Sequence, residues 1–175
     1  MKTSDKAIYK TIRENGEPVL NSEEFRETRN ARHHRHSSIS EHTMNVCIIS
    51  LKLARLLKNA GISVDENDLV TASLCHDLGM MDRGHKYHSL ISSWIRHPDD
   101  SVQAAHQVVP DLSKNAEDMI RSHMWPLGTH LPKTRESIIM AVADKCASVI
   151  DWGEYLTNSR YKAEIKKQLI AQYLE

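Results

Sequence analysis

The segment Ile138-Ile139-Met140-Ala141-Val142-Ala143-Asp144-Lys145-Cys146-Ala147-Ser148-Val149-Ile150 is apolar on nearly every side of a helix, yet carries a carboxylate at its centre. A fold that buries this segment buries Asp144 with it. An isolated carboxylate in an apolar interior costs on the order of tens of kcal/mol in the idealised limit, so the rest of the chain must supply a partner. Two kinds of partner meet that demand: a Lys or Arg in a structural ion pair, or a bound cation.

Elsewhere the apolar positions recur at three- and four-residue spacing, and no stretch alternates convincingly with period two, so the chain reads as all-α. Its 175 residues fit one domain. Residues 1–33 read as an arm with a short helix, with Gly16 and Pro18 as breakers. Residues 34–152 form the helical core, and residues 153–175 an amphipathic packing helix through Tyr161, Ile165, Leu169 and Tyr173. Ser38 and Glu41 make a capping box for a helix to about Lys58, with Gly61 as its stop and Ile39, His42, Val46, Ile49, Leu53 and Leu56 as its buried stripe. A second capping box, Ser63 to Glu66, opens a helix ending at Gly79. Pro98 suits the first position of a third helix, which places His97 at or beside its N-cap, puts Asp99 and Asp100 in its first turn, and ends at Pro110. Ser113 caps a fourth helix that ends before Pro126, and Thr134–Trp152 forms a fifth.

The charge balance, 23 Lys+Arg against 23 Asp+Glu, lacks the basic excess of a general nucleic-acid binder. The longest apolar run, Ile138 to Ala143, is too short to cross a bilayer. The polar opening Met1-Lys2-Thr3-Ser4-Asp5 has no apolar stretch of the kind a secretory signal carries. Cys47, Cys75 and Cys146 are odd in number and far apart, so they read as small buried residues of a reduced, cytoplasmic protein. With a single Phe, Trp94, Trp125 and Trp152 are expected as packing anchors or pocket wall. The abnormal count is 11 His.

Four helices each bring a polar residue to a buried face: His42, the adjacent His76-Asp77, His123 and Asp144. The order His42…His76-Asp77…Asp144 resembles the HD superfamily of metal-dependent phosphohydrolases. Ser40-Glu41-His42-Thr43-Met44-Asn45-Val46 is similar to its first-ligand helix, Leu74-Cys75-His76-Asp77-Leu78-Gly79 to its name-giving motif, and Ala143-Asp144-Lys145 to its final-ligand helix. Arg96-His97-Pro98 and His123-Met124-Trp125-Pro126-Leu127 resemble the extra histidines of members that hold two metals. These include the HD-GYP phosphodiesterases, whose Gly-Tyr-Pro tripeptide is absent here, and the symmetrical dinucleoside-tetraphosphate hydrolases.

The resemblance implies a helical bundle with a metal site at its centre. One site would be His42, His76, Asp77 and Asp144; a second would be Asp77, His97 and His123, with Asp77 as the bridge. Imidazole and carboxylate donors suit two divalent transition metals (Fe, Mn, Co, Ni or Zn) better than Ca or Mg. The implied activity is hydrolysis, by a metal-activated hydroxide, of a phosphomonoester or phosphodiester of a small molecule such as a nucleotide. Two other readings share the same residues: a di-iron oxygenase of the HD fold, and a non-catalytic nucleotide-binding module.

Around this set, Lys145 sits on a nearly all-apolar helix and must snorkel or pair, which makes it both a phosphate-binding candidate and a structural ion-pair partner. Arg83, His85 and Lys86 follow the His76-Asp77 helix in a stretch expected to border the site. They are candidates to bind substrate or protonate a leaving group, and His85 is the rival of His97 for the second metal. His34 stands where related HD proteins bring a His toward substrate. His33 and His36 read as part of a solvated basic arm, and His106 and His130 as ordinary helix-face and loop histidines.

Overall fold

A computed structural model describes residues 3–31, 37–81 and 83–156. Among them the chain is all-α, with no β-strand. The helices are α1 (Thr3–Leu20), α2 (Glu23–Glu27), α3 (Ile39–Asn59), α4 (Glu66–Cys75), α5 (Arg83–Lys86), α6 (Leu90–Val108), α7 (Lys114–Ser122) and α8 (Arg135–Leu156). A single 3-10 turn, Leu78–Met80, follows α4.

Helix α4 is the hub, with α1, α3, α6, α7 and α8 all packed on it. Every residue from Leu69 to Cys75 is buried, which explains why its sequence shows no clear polar face. The interior is aliphatic, built on Ile12, Leu51, Leu69, Leu74, Met119, Ile120 and Met140. Among the largest fully buried side chains stand His42, His76 and His123, occupying volume that aromatic rings fill in many cores. Trp125 and Trp152, 38% and 59% exposed, are not buried anchors, whereas Trp94 is half-buried. Cys47 and Cys75 are buried as expected, whereas Cys146 is exposed on α8.

The helix starts follow local chemistry. At Ser38 both halves of the capping box form: its hydroxyl accepts from the Glu41 N–H, and the Glu41 carboxylate accepts from the Ser38 N–H. Gly61, with φ of 81°, takes the left-handed conformation just past the C-cap of α3. Ser113 caps α7 as expected, accepting from the Ala116 N–H. On α3 the expected stripe holds through Ile39, His42 and Val46 but not at Leu56, which is 65% exposed; the buried line continues through Cys47, Ser50, Leu51 and Ala54.

Four other expectations are corrected. Helix α1 runs through Gly16 and Pro18. Gly16 is a contact point, since a Cβ there would stand 2.5 Å from Leu74 Cδ1 on α4. Pro18 lies in the last turn, so the one backbone bond it cannot donate, to the Glu14 carbonyl, is lost just before the helix ends. Helix α4 is capped by Asp65, not Ser63, because the Asp65 carboxylate accepts from the N–H groups of both Asn67 and Asp68. It ends at Cys75, before Gly79.

Pro98 does not begin a helix. Ser89 caps α6 much earlier, accepting from the Ser92 N–H, so His97 sits mid-helix. Ser93, His97 and Ser101 then share the face of α6 turned to the 3-10 turn, and the Ser101 hydroxyl accepts from the Gly79 N–H at 3.0 Å. That packing holds α6 together across the bond Pro98 cannot make. Asp99 pairs with Arg121, and Asp100 accepts from the Tyr87 hydroxyl at 2.6 Å, so both carboxylates serve contacts between elements. The proposed packing helix after Asn158 lies outside the described residues.

Gly79 is required by this approach. A Cβ at that position would fall 2.5 Å from the Ser101 backbone nitrogen and 2.7 Å from the Asp100 carbonyl carbon, neither of which can move independently of α6. Gly79→Ala should therefore lower the urea-unfolding free energy by about 1–3 kcal/mol. An unchanged unfolding midpoint would contradict this account of the α6 contact.

Candidate metal centre

Two of the buried histidines occupy equivalent positions. His76 is the C-cap of α4 and His123 the C-cap of α7, both with right-handed helical backbone. Each ring folds back so that Nδ1 lies against a carbonyl three residues earlier: Ser73 O at 2.8 Å and Ile120 O at 2.6 Å. These carbonyls belong to the last turn of a helix, where intrahelical donors run out. On α6, His97 Nδ1 meets Ser93 O at 2.7 Å. A carbonyl only accepts, so in all three rings Nδ1 carries the proton and Nε2 points the other way, inward. The C-terminal ends of α4 and α7 add partial negative charge at the same place, which favours a cation.

The inward atoms converge. His42 Nε2 is 2.9 Å from Asp144 Oδ1, and His76 Nε2 is 3.7 Å from that same oxygen. Asp77 turns Oδ2 toward His76 Nε2 at 3.5 Å, and Oδ1 toward His97 Nε2 at 3.4 Å and His123 Nε2 at 3.7 Å. All six residues are buried, none more than 5% exposed. Two groups of ligand atoms are compact enough for an ion: His42, His76 and Asp144, and His76, Asp77 and His123.

The donor chemistry fits metal ions. His97 Nε2 and His123 Nε2 face each other at 2.8 Å with both Nδ1 atoms committed to carbonyls. Burial, reinforced by the positive fields of His76 and His97, holds His123 well below the usual histidine range, so its Nε2 bears a lone pair at neutral pH. A lone pair facing a second ring nitrogen at that separation is satisfied only by a proton or a metal ion lying between them. His76 Nε2, equally buried, has no hydrogen-bond partner, and a buried polar atom in that state is costly. Bound divalent cations would satisfy both sites.

His42 sits between two carboxylates, Asp144 at Nε2 and Asp151 Oδ2 at Nδ1, 2.9 Å in each case. Burial works against charge on this ring. The hydrogen bonds to Asp144 and Asp151, with the fields of Asp144 and Asp77, outweigh it and push its pKa up to about 10. Burial alone would raise the Asp144 carboxyl, but His42, His76 and Lys145 hold it well below the usual carboxylate range. Lys145 resolves the choice posed by its position by pairing: its ammonium donates to Asp144 Oδ2 at 2.6 Å and to His123 O at 2.9 Å.

The structure thus brings together all six proposed ligands, with Lys145 at the rim of the cluster. His97, and not His85, supplies the α6 side; His85 is exposed on α5. Arg83 opens α5. His34, like His33 and His36, lies outside the described residues. His106 pairs with Glu117 at 2.9 Å and His130 with Asp99 at 3.3 Å, away from the cluster. Sequence reasoning missed Asp151 and Asn45. Asp151 stands seven residues after Asp144, two turns along the same face of α8, and that spacing was the available signal.

A family model described as HD domain matches residues 39–148. No curated protein matches the chain, and no solved structure does. HD domains bind divalent metals, and the matched segment contains every residue of the cluster. Among the described residues no helix is long and apolar enough to cross a membrane.

Protons and metal ions compete for these ring nitrogens, so affinity must weaken with acidity. Competition of cobalt(II) with a chelator should show binding weakened by about tenfold or more between pH 8 and pH 5.5. Affinity independent of pH would mean that the histidines are not the ligands.

Proposed function

The chain belongs to the HD domain family, and we propose that it is a metal-dependent phosphohydrolase, cleaving a phosphomonoester or phosphodiester of a small molecule, with nucleotides the favoured class. The reading is carried by the disposition of Asp77. Its two oxygens face two different sets of imidazoles, the arrangement a carboxylate needs to serve two cations at once. In this reading His42, His76, Asp77 and Asp144 hold one divalent transition metal, and Asp77, His97 and His123 a second.

Bound metals of this kind supply Lewis acidity, lowering the pKa of a coordinated water toward neutrality and offsetting charge on phosphoryl oxygens. The chain's own groups do the rest. The carbonyl-anchored rings of His76, His97 and His123 hold their Nε2 atoms in fixed directions, so little reorganisation is needed when the transition state forms. The Lys145 ammonium, beside Asp144 at the rim, is the proposed cation to meet a developing negative charge on a phosphoryl oxygen. Arg83 and His85 on α5, and His34 ahead of α3, are proposed substrate contacts.

The test is hydrolysis of a panel of phosphate esters, nucleotides included, by protein loaded with manganese, cobalt or iron. We expect phosphate or nucleotide release from at least one class. Asp77→Asn should lower turnover on the order of a thousandfold, because it removes charge where the two sites meet. A loaded protein inert on every ester, yet consuming oxygen with reduced iron, would move the assignment to oxidation chemistry.

A further inference from the structure

We propose that Asp151, itself held by Asn45, is a positioning residue of the centre, fixing the His42 ring so that Nε2 is presented to a metal beside Asp144. The inference rests on the reading of the cluster as a metal centre. His42 differs from the other three rings: they are anchored through Nδ1 to carbonyls of their own helices, whereas its Nδ1 faces a side chain from a different helix.

That side chain is well placed for the task. Asp144 and Asp151 lie two helical turns apart on one face of α8, and the imidazole from α3 fits between them, one nitrogen to each carboxylate. Asp151 is buried, and its second oxygen accepts from Asn45 Nδ2 at 3.0 Å. Asn45 is one turn beyond His42 on α3, so the same two helices that hold the ligands hold the support. A carboxylate on the remote N–H of a metal-bound imidazole fixes its tautomer and strengthens it as a donor.

The experiment compares full-length wild type with Asp151→Ala, Asp151→Asn and Asn45→Ala by cobalt(II) titration and proton NMR of the cobalt form. The wild type should bind cobalt and show an exchangeable, paramagnetically shifted resonance from His42 Nδ1–H. Asp151→Ala should lose that resonance and about 10- to 100-fold in affinity. Asp151→Asn, which keeps an acceptor oxygen without the charge, should lose less affinity and keep a shifted resonance; it also decides the matter if the alanine variant fails to fold. Asn45→Ala should weaken binding in the same direction. Variants that bind cobalt as tightly as wild type with the resonance intact, even if they melt earlier, would overturn the positioning role and leave the metal centre standing. A wild type that binds no cobalt would overturn both.

Discussion

Asp144 keeps its negative charge in an aliphatic interior because His42 at 2.9 Å and Lys145 at 2.6 Å donate to it, with the His76 ring standing beside it at 3.7 Å. Those partners come from α3, α8 itself and the end of α4, so compensating one carboxylate draws three helices to one point. Asp77 extends the arrangement to α6 and α7 through His97 and His123. A buried polar cluster of this kind is tolerable only when its members satisfy one another, and the facing nitrogens of His97 and His123 do so with a proton or a metal ion between them. Fold and chemistry therefore make the same demand on the centre of the bundle.

Most of this was legible in the sequence because buried polar residues in apolar helical segments stand out. Asp144 was visible as a carboxylate in the most apolar helix, and the resemblance of the motifs around His42, His76-Asp77, His97 and His123 to the HD superfamily implied the rest of the proposed ligand set. The local frame was less legible. Pro98 has two compatible roles, first residue of a helix or interior residue, and only packing of Ser93, His97 and Ser101 on the 3-10 turn decides between them. Gly16 and Gly79 read as stops, yet both are places where elements approach too closely for a Cβ. Asp151 stayed hidden because it falls just beyond the apolar segment 138–150, where a carboxylate reads as the edge of the helix.

Part of the volume that Phe fills in other cores is taken here by imidazole. His42, His76 and His123 are fully buried and fill core volume, so the interior of this small bundle is partly built from its own candidate ligands. Stability and metal occupancy are then coupled by mass action, since ligands that bind only the folded chain stabilise it. Trp125 and Trp152 lie toward the surface.

The most direct measurement is anomalous diffraction from crystals grown with manganese(II), with data collected on both sides of the metal absorption edge. The account predicts two peaks about 3.5–4 Å apart, one bounded by His42, His76, Asp77 and Asp144 and the other by Asp77, His97 and His123. A crystal with no anomalous peak inside this cluster, and with His42 still bridging Asp144 and Asp151, would contradict it.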